Sequence, residues 1–154
     1  MDFNQFNTVA AAEKGAECHI KCPATLKPLF DNPDDPTADN GKPCIVVVLG
    51  GEAASVRAAI RAAQKARAAA AEDEDNLPDT SLAELHERMV ESVLPRIIGF
   101  KNISKGSKPA TKADADWFLN LNVINGQKDE KSFAEQLGEF SSKRANYLGN
   151  ASSA

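Results

Sequence analysis

The chain of 154 residues has no apolar run long enough to cross a membrane, because its longest, Ile45 to Leu49, falls far short of the roughly 20 residues a spanning helix needs. It also lacks the basic n-region and apolar h-region of a signal peptide: it starts Met1-Asp2-Phe3-Asn4-Gln5, and the expected compartment is the cytoplasm. Cysteine is scarce. Three residues, Cys18, Cys22 and Cys44, cannot all pair within one chain, and a cytoplasmic setting keeps them reduced. Catalytic patterns are missing as well, with no G-x-S-x-G, no H-E-x-x-H, no phosphate loop and no G-x-G-x-x-G after a strand. The two histidines, His19 and His86, sit in no recognisable context, and His86 lies off the apolar stripe of its segment, where a solvated side chain is expected. Acid pairs such as Asp34-Asp35 and Glu72 to Asp75 fall in stretches that read as solvated loops, where nothing raises a carboxyl pKa into a working range. The expectation is a protein that is not an enzyme and uses no cofactor.

The string Cys18-His19-Ile20-Lys21-Cys22, with Cys44 as a third thiolate, invites a metal reading. Residues 16 to 22 alternate like a strand, however, which puts Cys18, Ile20 and Cys22 on one face and His19 and Lys21 on the other. Four strand residues separate Cys18 from Cys22 by roughly 13 Å, too far for both to hold one zinc at roughly 2.3 Å per bond. No metal site is expected, and the thiols read as small buried hydrophobes.

Net charge is -4, which argues against a surface built to neutralise phosphates. The charge alternates in blocks: residues 55 to 71 carry four bases and no acid, residues 72 to 91 eight acids and one base, residues 92 to 112 five bases and no acid. Such a patchwork suits contacts with other proteins better than steering toward a polyanion. Lys101, Lys105, Lys108 and Lys112 could touch phosphate, but no aromatic residue interleaves them, and no nucleic-acid partner is expected.

Along the chain, residues 2 to 13 form a lead-in whose apolar points are Phe3, Phe6, Val9 and Ala10, stopped at Gly15. A strand over 16–22 and an apolar return strand over 44–49 flank a turn-rich connection, and Gly50-Gly51 breaks the second strand. Residues 53 to 71 hold eleven alanines and no Gly or Pro, which predicts a helix that leans on the sheet for stability. Ser81-Leu82-Ala83-Glu84 is a capping-box pattern opening a helix with Leu82, Leu85, Met89, Val90 and Val93 on one face, ended or kinked by Pro95. After an apolar patch at 97–100, a third helix is expected over Ala113 to Leu121 with the only tryptophan, Trp117, and a turn at Asn125-Gly126. A last helix is expected from Asp129, as N-cap, to Leu148, stopped by Gly149-Asn150.

The resulting fold class is α+β, a small antiparallel β-hairpin sheet of residues 16–22 and 44–49 packed with three to four helices. It makes one domain over 1–150, with exposed loops at 23–43, 72–79 and 101–112 and a frayed tail at 151–154. A two-stranded hairpin is marginal alone, so helices must cover it, and a free edge offers strand addition as a route to a homo-oligomer. Two surfaces stand out as candidate protein interfaces. Arg57, Arg61 and Lys65 recur every four residues on one ridge of the alanine helix. Phe133, Leu137, Phe140 and Tyr147 fall at offsets 0, 4, 7 and 14, one face of a single helix, a periodicity that serves core packing as readily as binding.

Three stretches also resemble a known family. Phe3-Asn4-Gln5-Phe6-Asn7-Thr8-Val9 through Glu17, then Pro23-Ala24-Thr25, is similar to the start of the tail assembly chaperones of tailed bacteriophages, siphophages among them. Ile45-Val46-Val47-Val48-Leu49-Gly50-Gly51-Glu52-Ala53-Ala54-Ser55 resembles their second strand and glycine turn, and Phe140-Ser141-Ser142-Lys143-Arg144-Ala145-Asn146-Tyr147-Leu148-Gly149-Asn150 resembles their ending. The middle departs from that pattern at Phe100, where a tryptophan is expected, and in the longer lysine loop. The resemblance implies a morphogenesis protein of the host cytoplasm that binds the phage tape measure protein, keeps its apolar helices soluble and helps the tail tube protein polymerise. The alternative is a structural virion subunit, a capsid decoration or head-tail connector protein that stays in the particle.

Overall fold

The computed structural model describes residues 1–72 and 81–152. The expected linker over 72–79 lies outside those residues except for Glu72, and of the expected tail Ser153 and Ala154 lie outside them. After a single 3-10 turn at Phe3–Phe6, helix α1 (Thr8–Lys14) opens with the Asn7 side chain accepting from the Ala10 amide at 3.0 Å and ends at Gly15, whose φ of 80° favours glycine. Strand β1 (Ala16–His19) follows, then a small hairpin of β2 (Phe30–Asp31) and β3 (Lys42–Pro43) within the long connection, then β4 (Ile45–Val48). Helix α2 (Ala54–Glu72) and helix α3 (Leu82–Val93) come next, and a 3-10 turn at Leu94–Arg96 holding Pro95 leads into β5 (Ile97–Lys101). The lysine loop folds into a second hairpin, β6 (Ser104–Lys105) and β7 (Lys108–Pro109), before α4 (Ala115–Leu119), α5 (Phe133–Ser141) and α6 (Ala145–Ser152).

The class is α+β, as the pattern predicts, but the sheet is larger than a hairpin. Its order is β1-β4-β5, all antiparallel, with Ala16 opposite Val48, Cys18 opposite Val46, and Val46 in turn opposite Phe100. Residues 97–100, read from sequence as a patch, are therefore the third strand. Glycine at 99 and the short run obscure the alternation, and a register shift between Val47 and Val48 breaks it further. With β5 in place β4 is central, its Val46 and Val48 buried in the core and its Ile45 and Val47 half-buried on the other face. Helices α3, α4 and α5 cover one face of the sheet, and Cys18, Ile20, Val46, Val48, Val93, Ile97, Phe118, Leu119 and Leu137 form the core there.

A second, smaller cluster of Ala12, Leu49, Ala53 and Val56 ties α1 and the start of α2 to the end of β4. The alanine helix thus leans on α1 and on the strand's end instead of lying over the sheet. Its N-terminus is capped from outside: the Ser55 amide donates to Glu13 at 2.7 Å and the Ser55 hydroxyl to the same carboxylate at 3.0 Å. Farther along, Arg67 bridges to Glu84 at 3.2 Å and to Glu91 on α3.

Several expectations about faces are corrected. Phe3, Phe6 and Val9 are exposed and Ala12 is the buried residue of the lead-in, because a short helix abutting a glycine turn admits only a small side chain. On α3, Leu82 and Leu85 are exposed and His86 is 4% exposed, so the buried stripe runs His86, Val90, Val93. Its ring fits there because Nε2 donates to Asn120 Oδ1 at 3.0 Å, while Nδ1 meets no partner. The last helix is two helices. Ser132, not Asp129, caps the first, in a capping box where its hydroxyl accepts from the Glu135 amide at 3.2 Å and Glu135 accepts from the Ser132 amide at 3.1 Å. The break at 142–144 arises where Ser141 and Ser142 hydroxyls donate back to the Gly138 carbonyl, at 3.3 and 2.7 Å, and Asn146 donates to the Phe140 carbonyl at 2.7 Å. Helix α6 then runs through Gly149 and Asn150 to Ser152.

Candidate functional site

The sequence-predicted interface residues are dispersed by this fold. Arg57, Arg61 and Lys65 are exposed along α2, and among the described residues none of them forms an ion pair. Leu137 is 0% exposed and belongs to the core, so it has no surface to offer a partner. Phe133 is half-buried, stacked on Phe118 with centroids 4.6 Å apart and planes at 8°. The helix break separates Tyr147 from the stripe; folding back, not helical spacing, brings it against Phe140 at 6.1 Å between centroids. Its hydroxyl donates to the Val48 carbonyl at 3.2 Å, and burial pushes the phenol pKa up.

Large apolar side chains do reach the surface elsewhere. Leu82 and Leu85 on α3 are each 46% exposed, and Leu121 and Val123 after α4 are 50% and 55% exposed. The His86 to Asn120 hydrogen bond holds α3 beside the end of α4, and a Cβ at Gly126 would lie 3.8 Å from Leu82, so the 121–126 segment runs next to the α3 N-terminus. From Leu121 the surface continues into an open groove of about 350 Å³ lined by Ile103, Trp117, Phe118, Phe133, Leu29 and Phe30. Lys105 borders it, its Nζ 5.6 Å from the Trp117 ring centre, and pairs with Asp114 at 3.7 Å. Lys101 pairs with Glu17.

A second concavity, of about 520 Å³, opens between the Gly50-Gly51 turn, the turn at 94–96 and the junction of α5 with α6. Arg96 is 9% exposed at this cleft. Its Nε donates to the Ser92 carbonyl and its Nη2 to the Ser92 hydroxyl, both at 3.1 Å, and its Nη1 donates to the Ser141 hydroxyl at 2.6 Å. Burial lowers the Arg96 pKa from the usual guanidinium value, and the guanidinium joins the ends of α3 and α5. The Gly51 amide adds a bond to the Ser141 carbonyl at 2.9 Å. On the cleft wall Glu52 accepts from Arg144 Nε at 2.5 Å and from the Thr8 hydroxyl at 2.7 Å, and these bonds, Arg144 first, hold its carboxyl below the ordinary value.

The thiols lie apart in environment. Cys18 is buried, which pushes its pKa up to about 11, while the Cys44 thiol donates to the Asn102 carbonyl at 3.3 Å. Cys22 has its pKa lowered by the Thr25 side chain and by backbone amides of Ala24 and Thr25. Among the described residues no group of three or more His, Cys, Asp or Glu side chains is placed to hold a metal ion, and no helix is long and apolar enough to cross a membrane. Comparison with protein-family models, curated proteins and solved structures finds no match. Sequence reasoning missed Arg96 and the exposed quartet of Leu82, Leu85, Leu121 and Val123. Nothing local distinguishes Arg96 from other bases, whereas the helical stripe of α3 places Leu82 and Leu85 on the core face about one residue out of phase with the buried one.

Proposed function

We propose that this chain is a non-enzymatic assembly factor, a tail assembly chaperone of a tailed bacteriophage that holds an apolar helical segment of the tape measure protein while the tail tube protein polymerises. The reading rests on the resemblance at residues 3–25, 45–55 and 140–150. The observation that carries it is the set of exposed apolar side chains Leu82 and Leu85, beside the 121–126 segment, and Leu121 and Val123 within it, Leu121 also lining the groove beside Trp117 and Phe133. Exposed apolar side chains next to a groove fit a protein-binding surface, and an amphipathic helix is the ligand such grooves take. The job needs no reacting group. It needs apolar area that a client can occupy and leave, and half-exposed leucines on a folded helix and loop provide that without unfolding the domain.

Mass spectrometry of purified particles, combined with capture from infected cells using this chain as bait, tests the reading. The expected result is absence from particles and recovery of the tape measure protein, with recovery lost in a Leu121→Asp, Val123→Asp variant that still folds. Stoichiometric presence in the finished particle overturns it in favour of a structural virion subunit.

A further inference from the structure

The cleft around Arg96 is separate from the apolar surface and has a different chemistry. Arg96 is a cation almost removed from water, and among the described residues no carboxylate pairs with it. Its three hydrogen bonds all go to neutral oxygens, of Ser92 and Ser141. A guanidinium carries five N–H groups, so one remains on each terminal nitrogen, and a guanidinium fork matches the two oxygens of a carboxylate or phosphate. A buried charge is ordinarily compensated by a partner of opposite sign, and among the described residues none pairs with Arg96.

The walls agree with the floor. A side chain at Gly51 would place its Cβ 3.4 Å from Arg96 Nη1, so the absence of one leaves the guanidinium approachable from the cleft. Arg144 brings a second cation, 73% exposed, with only its Nε engaged. Glu52 is the one carboxylate among the lining residues, and both its oxygens are already taken by Arg144 and Thr8. Two arginines against one acid leave the lining with an excess of one positive charge. A volume of about 520 Å³ exceeds what a bare halide fills and accommodates a small polyatomic anion with its hydration.

We propose that this cleft binds a small oxyanion, a carboxylate or phosphate group, with Arg96 as its main contact and Arg144 as the second charge. The ligand supplies the counter-charge that no described residue provides, and it joins the end of α3 to the junction of α5 and α6. The site is independent of the proposed client surface, so each can fail without the other.

The test is a titration of the full chain, followed through the backbone amide resonances of Gly50 and Gly51, with inorganic phosphate and with succinate at constant ionic strength and chloride as the control. Saturable shifts with phosphate, succinate or both, absent with chloride, are expected, and which anion saturates at lower concentration identifies the source of the oxyanion. Arg144→Gln, at an exposed position, is expected to weaken binding several-fold, and Arg96→Gln by about tenfold or more, since bonds to charged groups are the strong ones. Should Arg96→Gln fail to fold, the titration of the unsubstituted chain and of Arg144→Gln still decides. Shifts that fail to saturate, that chloride reproduces, or that Arg144→Gln leaves unchanged overturn the proposal and leave Arg96 as a structural clamp.

Discussion

At the scale of single residues, two adjacent glycines have different duties. A Cβ at Gly50 would sit 2.7 Å from the Ala12 Cβ and 3.1 Å from Tyr147 Cε2, in the packed seam between α1, α6 and the end of β4. At Gly51 the same atom would find only ordinary contact, 3.4 Å to Arg96 Nη1 and 3.7 Å to the Ser141 carbonyl. Gly50→Ala is therefore expected to destabilise by about 1–3 kcal/mol, the usual cost of overpacking, and Gly51→Ala to stay within about 0.5 kcal/mol. Urea unfolding of the two variants checks this, and equal effects would contradict it. The paired glycines are visible in the sequence as a strand break, but which of them is sterically required depends on Ala12 and Tyr147, residues that only the fold brings there. His86 makes the same point. It reads as solvated from its place off the apolar stripe, yet it is buried where Asn120, at the C-terminal end of α4, offers it an acceptor.

At the scale of elements, local caps open α1, α3 and α5, while carboxylates of neighbouring segments tie α2 and the approach to α6. Glu13 of α1 caps α2 through Ser55, Glu52 holds Arg144 at the approach to α6, and Glu84 holds Arg67 and Arg88 across α2 and α3. Each carboxyl has its pKa lowered by these partners: Glu13 by the Ser55 amide and hydroxyl, Glu52 by Arg144 and Thr8, Glu84 by Arg67 and Arg88. A carboxyl held below its ordinary value of 4.5 contributes stability that is fully present above that value and is lost as the pH falls through the lower, folded one. Stability is accordingly expected to be flat from neutral pH to about 5 and to fall in more acidic solution. Glu13→Gln is expected to lower stability at neutral pH and to flatten the acid limb, as seen by thermal unfolding across pH. An acid limb as steep as that of the unsubstituted chain would count against the Glu13 cap. Glu13 is exposed and Glu52 and Glu84 are half-buried at the surface, so each effect is modest and screened by salt.

For the whole molecule, the aromatic centre of the main core separates folding from binding. Phe118 stacks on Phe133 and meets Phe100 edge-on at 5.2 Å, joining α4, α5 and β5. Phe118→Ala is expected to cost about 3–5 kcal/mol, enough to threaten a domain of this size. Leu121→Asp, three residues on and half-exposed, is expected to shift stability by no more than about 0.5 kcal/mol while abolishing client capture. Denaturant unfolding of both variants beside the same capture assay checks the division. A large loss of stability in Leu121→Asp would assign that residue to the core and remove the proposed surface.

The sequence by itself determined the fold class, the β1 and β4 pairing, the alanine helix, the α3 N-cap at Ser81 and the turn at Gly15, because each is written in local pattern: alternation, helix propensity, capping chemistry, or the need for a positive φ. The tertiary structure alone decided that β5 completes the sheet, that the final helix breaks at 142–144, and that Arg96 is buried with no acid paired to it among the described residues. Strand partners, competing acceptors for a carbonyl and the charge facing a guanidinium all come from residues distant in the chain. At Ser141 the matter is plain: its carbonyl accepts from the Gly51 amide and its hydroxyl from Arg96, bonds that span 90 and 45 positions and that no local pattern records.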